Sequence, residues 1–256
     1  WPYAPTSRFI IYTPEDDWNI LKEQPILKAL AGVMQVEWQR ITFPSTPQKD
    51  AYHCLIACQS ASIERAIYDQ AACIYLQPDQ LYVNGIFRHL SELIEQGKEM
   101  VLYAGIRVNE ESILQELETT IPLSIPPERG VDLVIKHMHA EFKGYFWFAE
   151  NFNLIGPSAV YHWLTNHSFT IQQFDWNPLF IRYPRPFPKN VLKPVPVLDG
   201  VYLYQYSDWM ETEQTHLIEI GDQRILALSL TPTDLLPSTN ALAPLPFQQR
   251  PAWVYH

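Results

Sequence analysis

The sequence predicts an α/β fold in which a mainly parallel central sheet is flanked by helices and followed by a proline-rich C-terminal elaboration. Three observations point there. The stretch from Ala71 to Arg107 reads strand, loop, helix, strand. Short β-rich runs alternate with helix-period segments through the first 140 or so residues. A length of 256 residues with 47% hydrophobic side chains is ample for one large core.

Within Ala71 to Arg107, the apolar run Ala71 to Leu76 ends at the turn signal Gln77-Pro78-Asp79 and suits a buried parallel strand. A polar loop follows, Gln80 to Gly85. Ile86, Phe87, Leu90, Leu93 and Ile94 recur at helical spacing, and Gly97-Lys98 closes the helix before the apolar strand Met100 to Tyr103. Such a unit is expected to be a right-handed βαβ crossover whose binding loops emerge beyond the carboxyl ends of its strands. Asp79 to Gly85 is therefore the first place to look for chemistry.

Before this unit, Arg8 to Tyr12 is a compact β run, followed by a helix start with Thr13 as cap, Pro14 at the first helical position and Glu15, Asp16 and Asp17 in the first turn. Pro25 to Ala31 forms a second short helix. Val33 to Ile41 alternates as a half-wet strand, and Ala51 to Tyr68 is a helix buried along Leu55, Ile56, Ile63 and Ile67. After the unit, Glu110 to Leu117 reads as an acidic amphipathic helix, and a proline-rich break leads to a helix over Gly130 to Phe142. Tyr145 to Phe180 is dense in aromatics, which serve packing or, with interleaved Asn, Ser and His, a pocket wall. Ile171 to Phe174 and Leu179 to Tyr183 are short strands. Beyond the proline-rich connection Pro184 to Pro196 come three β-rich runs, Val201 to Tyr206, His216 to Ile220 and Arg224 to Leu230. Residues 1–230 are read as the α/β domain and 231–256 as an extended tail, with Pro232, Pro237, Pro244, Pro246 and Pro251, suited to a protein partner.

A net charge of -10 without a dense Lys/Arg run argues against nucleic acid as a partner. Cys54, Cys58 and Cys73 read as small buried thiols of a reducing compartment, since an i,i+4 pair without flanking ligands is a weak zinc signal. No apolar run approaches the roughly 20 residues of a bilayer span, and a cytoplasmic protein is expected. The chain begins at Trp1 rather than Met, as a segment of something longer would.

Several signatures are missing from the sequence: a G-x-G-x-x-G, a Walker loop, a G-x-S-x-G elbow and an H-E-x-x-H. What remains is Asp79, a carboxylate just past a buried strand, where hard oxygen ligands can hold Mg²⁺ or Mn²⁺ against a diphosphate. The residues Pro78-Asp79, Gly85, Gly97-Lys98, Arg107-Val108, His137-x-His139, Asn153, Pro157-Ser158 and Asp199 together resemble a bacterial glycosyltransferase-like family with the GT-A, nucleotide-diphospho-sugar transferase fold. Val83-Asn84-Gly85 replaces a Ser-Asp-Gly of that pattern, Gln77 stands where a D-x-D would have its first acid, and Asp199 is what remains of an acidic cluster.

The resemblance implies a GT-A-like sheet and glycosyl transfer from a nucleotide-diphosphate sugar to an acceptor, assisted by a divalent cation. Asp79 and His139 would be metal ligands and Asp199 a metal ligand or catalytic base. Arg107, Asn84, Gly85, Asn153 and Ser158 would hold the donor. The residues also admit plainer roles. Asp79 suits a turn, Asn84-Gly85 a positive-φ turn, and Arg107 a surface ion pair with Glu110 or Glu111. His137 and His139, two apart on a helix, cannot both face one point, so one is structural. The missing acids leave open a second function class, a catalytically inactive GT-A-like module for binding or assembly.

Overall fold

The computed structural model describes residues 3–42, 47–118, 123–149, 152, 159–173, 177–182, 218–220 and 222–234. The chain forms two compact units, Trp1–Cys73 with Arg182–Trp209, and Ile74–Ile181 with Met210–His256.

The first unit opens on strand β1 (Arg8–Thr13), followed by helices α1 (Glu15–Leu21) and α2 (Pro25–Ala31), strand β2 (Gln35–Arg40) and helix α3 (Pro47–Asp69). β1 and β2 pair in parallel with Arg8 opposite Gln35. Thr13 is not the helix cap expected of it. It is the last residue of β1, buried, and its carbonyl accepts from Trp38 Nε1 at 3.0 Å, while Pro14 occupies the cap position. Trp38 in turn stacks on Trp18 at 5.6 Å, which joins α1 to β2. Charge binds α3 to the strands: Arg8 reaches Glu37 and Asp69, and Arg65 also meets Asp69. The three cysteines are free thiols. Strand β3 (Ala72–Ile74) follows.

The second unit carries β4 (Gln80–Tyr82), α4 (Ile86–Glu95), β5 (Met100–Tyr103), β6 (Gly105–Asn109), α5 (Glu110–Leu117), α6 (Pro127–His137), α7 (Ala140–Lys143), β7 (Ala159–Thr165), β8 (Ser168–Gln173), β9 (Asn177–Arg182), β10 (Ile218–Ile220) and β11 (Ala227–Thr231). Among the described residues of this unit the sheets are mixed or antiparallel where a mainly parallel central sheet was expected. β5 has β10 parallel on one side and β9 antiparallel on the other, so β3 and β5 are not the paired strands of a βαβ crossover. A second sheet runs β4-β11-β6, with β11 antiparallel to β4 and parallel to β6. β7 and β8 make an antiparallel hairpin. The wholly parallel sheet is the two-stranded β1-β2. The GT-A-like arrangement falls with this correction. All four residues of β5 are buried, as the apolar run required, but burial on both faces says nothing of a neighbour's direction.

Local rules hold better than topology. α4 begins after Gly85 at φ 83° and ends before Gly97 at φ 84°, both left-handed positions that favour glycine. α5 spans the residues its periodicity marks, with Asn109 capping the Ser112 N–H. The helix expected over Gly130 to Phe142 is broken: α6 stops at His137, Met138 bridges to Val108, and His139 caps α7. The core of this unit joins Val83, Ile106, Val108, Ile113, Leu133, Val134, Leu226 and Leu228, so α5 and α6 pack on the β4-β11-β6 sheet. The aromatic stretch mainly packs on itself, with Phe146 stacked on Trp163 at 4.3 Å and edge-on to Tyr161 at 5.4 Å. Among the described residues no helix is long and apolar enough to cross a membrane.

α6 lies so close to β4 that a Cβ on Gly130 would stand 2.6 Å from Val83 Cγ1 and 3.2 Å from Leu226 Cδ2. Overpacking of this kind costs about 1–3 kcal/mol, against a gain of up to about 1 kcal/mol from replacing a helical glycine. Gly130→Ala is expected to destabilise the chain in urea unfolding by about 1–2 kcal/mol, and Val83→Ala in the same chain should reduce that loss.

Glu116 clasps α5 to α6, accepting from Lys136 Nζ at 2.6 Å and meeting His137 Nε2 at 2.8 Å. Those two partners, Lys136 first, lower its carboxyl from the ordinary 4.5 to about 2. A depressed carboxyl stabilises the fold above its unfolded value and loses that contribution as pH falls through the folded one. The Tm difference between wild type and Glu116→Gln should therefore stay constant from neutral pH down to about 4.5 and shrink between there and about 2.

Candidate functional site

The polypeptide between β3 and β4 turns at Pro78-Asp79, and strand β11 fixes that turn. The Leu230 N–H donates to the Asp79 carbonyl at 2.7 Å, and Ser229 Oγ donates to Asp79 Oδ2 at 3.3 Å. Gln80, expected in an open loop, is the first residue of β4 and lies opposite Ser229. Its side-chain oxygen accepts from Tyr82 Oη at 2.8 Å and Tyr103 Oη at 2.6 Å. Burial pushes both phenols above their ordinary value, so they act as protonated donors at neutral pH.

On the other side of β11, Arg107 on β6 stands opposite Ser229. β6 was not foreseen as a strand, and with it Arg107 becomes a sheet residue rather than a strand-end one. Its Nη1 donates to Glu141 Oε2 at 2.9 Å, and Tyr145 Oη donates to Glu141 Oε1 at 3.0 Å. The Glu141 side chain is 9% exposed and that of Arg107 41%, so the carboxylate is the inner partner. The ion pair foreseen with Glu110 or Glu111 is not the one formed. Glu111 instead accepts from the backbone and hydroxyl of Thr233, whose hydrogen bonds hold its carboxyl below the usual range.

His139 is 2% exposed and tied to the same place. Its N–H donates to the Arg107 carbonyl at 3.0 Å, and its Nδ1 accepts from the Glu141 N–H at 3.3 Å. An accepting Nδ1 puts the proton of the neutral ring on Nε2, and that buried nitrogen has no partner among the described residues. Asn84 and Gly85 are elsewhere. The Asn84 side chain donates to Ser124 Oγ at 2.6 Å and accepts from the Ile125 N–H at 3.3 Å, which pins the approach to α6, and Gly85 starts α4.

Of the residues singled out from sequence, Asp79, Arg107 and His139 are thus gathered around β11 and Glu141, while Asn84 and Gly85 shape backbone. Asp199, Asn153 and Ser158 lie outside the described residues. Ser229 and Glu141 are the side-chain partners that sequence reading missed. Neither carries a local signal of its pairing, since Ser229 is 150 residues from Asp79 and Glu141 is 34 from Arg107. Among the described residues no three His, Cys, Asp or Glu side chains come together to hold an ion. Comparison of the chain with protein-family models, with curated proteins and with solved structures finds no match.

Removing Arg107 leaves a largely buried carboxylate without its cation. Arg107→Ala should lower stability in denaturant unfolding by about 1–3 kcal/mol, and adding Glu141→Gln should recover part of that loss because the neutral amide no longer needs the charge.

Proposed function

We propose that this chain is a binding and assembly module rather than a metal-assisted nucleotide-sugar transferase. The observation that carries the reading is the Arg107–Glu141 pair at 2.9 Å. A guanidinium that must grip a diphosphate works best with its fork free, and here a largely buried carboxylate already holds it. The neighbouring groups support the same reading. The Asp79 carboxylate accepts from Ser229, the Asn84 amide serves the Ser124-Ile125 backbone, and Glu111 is engaged with Thr233. Each has a task in holding β11 or α6 in place. The partner is expected to be a protein that grips the proline-containing sequence 235–256, since such segments dock as preformed extended helices in aromatic grooves.

Calorimetry with a panel of nucleotide-diphosphate sugars, with and without Mn²⁺, tests the choice. The reading expects no heat of binding and no metal-dependent rise in Tm. A Mn²⁺-dependent rise that Asp79→Ala abolishes would restore the transferase in its place.

A further inference from the structure

The α5–α6 junction holds a hydrogen-bonded serine, histidine and carboxylate that no part of the reading above uses. Ser112 Oγ lies 2.8 Å from His137 Nδ1, and His137 Nε2 lies 2.8 Å from Glu116 Oε2. Ser112 and Glu116 are one turn apart on α5 and so share a face, and His137 reaches between them as the last residue of α6. His137 is buried, while Ser112 is partly open to solvent. Packing sets the geometry, because Ile113 and Leu117 of α5 join the same core as Leu133 and Val134 of α6.

The direction of each hydrogen bond follows from the acid. Glu116 is ionised at neutral pH, since Lys136 and His137 hold its carboxyl down to about 2, and an ionised carboxylate only accepts. The Nε2 proton of a neutral His137 therefore points at Glu116. Nδ1 is left as a lone pair facing the Ser112 hydroxyl, which is the relation of a general base to a nucleophile. The two ring nitrogens are exchanged relative to the usual serine hydrolase order, but such triads are defined by geometry and role. The Asn109 carbonyl, 3.3 Å from Ser112 Oγ, is the more distant acceptor, and Asn109 Oδ1 fixes the Ser112 backbone by accepting its N–H at 3.0 Å.

We propose that Ser112 is an activated nucleophile that cleaves small esters, with His137 as general base and Glu116 as the residue that positions it. Ser112 Oγ attacks the carbonyl carbon and its proton passes to His137 Nδ1. The bond from carbon to the leaving oxygen breaks, the proton goes to that oxygen, and Ser112 keeps the acyl group. Water then attacks the acyl carbon and gives a proton to Nδ1. The carboxylic acid departs and the proton returns to Ser112 Oγ, so ester and water become acid and alcohol. Ser112 stands in the first turn of α5, where the helix dipole favours developing negative charge. Glu110 and Glu111 share that turn, so neutral or cationic acyl groups are preferred over anionic ones.

The test is covalent labelling of the full chain with a fluorophosphonate probe, in which Ser112 Oγ bonds to phosphorus, fluoride leaves and the proton goes to His137. Peptide mapping by mass spectrometry should place the adduct on Ser112 of the wild-type chain. His137→Ala, checked for folding by circular dichroism, should label at least roughly 100-fold more slowly and be partly restored by added imidazole. Glu116→Asp should retain more of the labelling rate than Glu116→Ala, and p-nitrophenyl acetate should show the same order of rates. An unlabelled Ser112 in the wild-type chain, or a labelling rate unchanged in His137→Ala, would overturn the proposal.

Discussion

Strand β11 is the piece on which the second unit depends. Ala227 and Leu228 are fully buried in its core, and its backbone pairs on one side with β4 and on the other with β6, two strands that do not pair with each other. Without it, both would present open hydrogen-bonding edges, and the apolar sides of α5 and α6 would lose the sheet they cover. Ser229, in the middle of this strand, also brings Asp79 and Arg107 to its two flanks. The polar grouping that sequence motifs suggested is thus a by-product of one long-range strand insertion, which itself supplies the Ser229 partner of Asp79.

What was legible in the sequence follows the range of the interaction. α5 could be read over its full span because an N-cap Asn109, acids in the first turn and an apolar face at helical spacing all lie within ten residues. The left-handed glycines around α4 were legible for the same reason. β6 was missed although it alternates buried and half-buried residues, since Ile106 and Val108 are too few to stand out beside the continuous apolar run of β5. Strand direction was misjudged at β4, β5 and β9, where antiparallel pairs stand in place of parallel ones. An apolar strand followed by a helix and another strand invites a parallel crossover, yet β9, which lies far along the chain, takes the antiparallel place beside β5.

The candidate site divides along the same line. Asp79 and Arg107 were picked out as residue types suited to diphosphate and metal, and the fold does gather them. Whether such groups are free to meet a ligand depends on partners that no local pattern encodes: Ser229 for one and Glu141 for the other. The His-x-His pair shows the reverse. Two positions apart, the rings were expected to diverge. They do, because the helix ends between them: His137 turns to Ser112 and Glu116, and His139 caps the next helix. A pair that looked like a ligand motif is two separate local structures.

The insertion of β11 also fixes the order in which this unit can be completed during synthesis. Ser229 and Asp79 are 150 residues apart in the chain, and Thr233 and Asn109 are 124 apart. Helices α4, α5 and α6 can form as soon as they emerge from the ribosome, because their contacts are local. β4 and β6 must wait for β11, and until then their edges are available to any other extended chain. A nascent or truncated chain ending before Ala227 would carry its helices and most of its hydrophobic residues without the strand that closes the sheet, which makes a late-synthesised strand the one that protects the unit from aggregation.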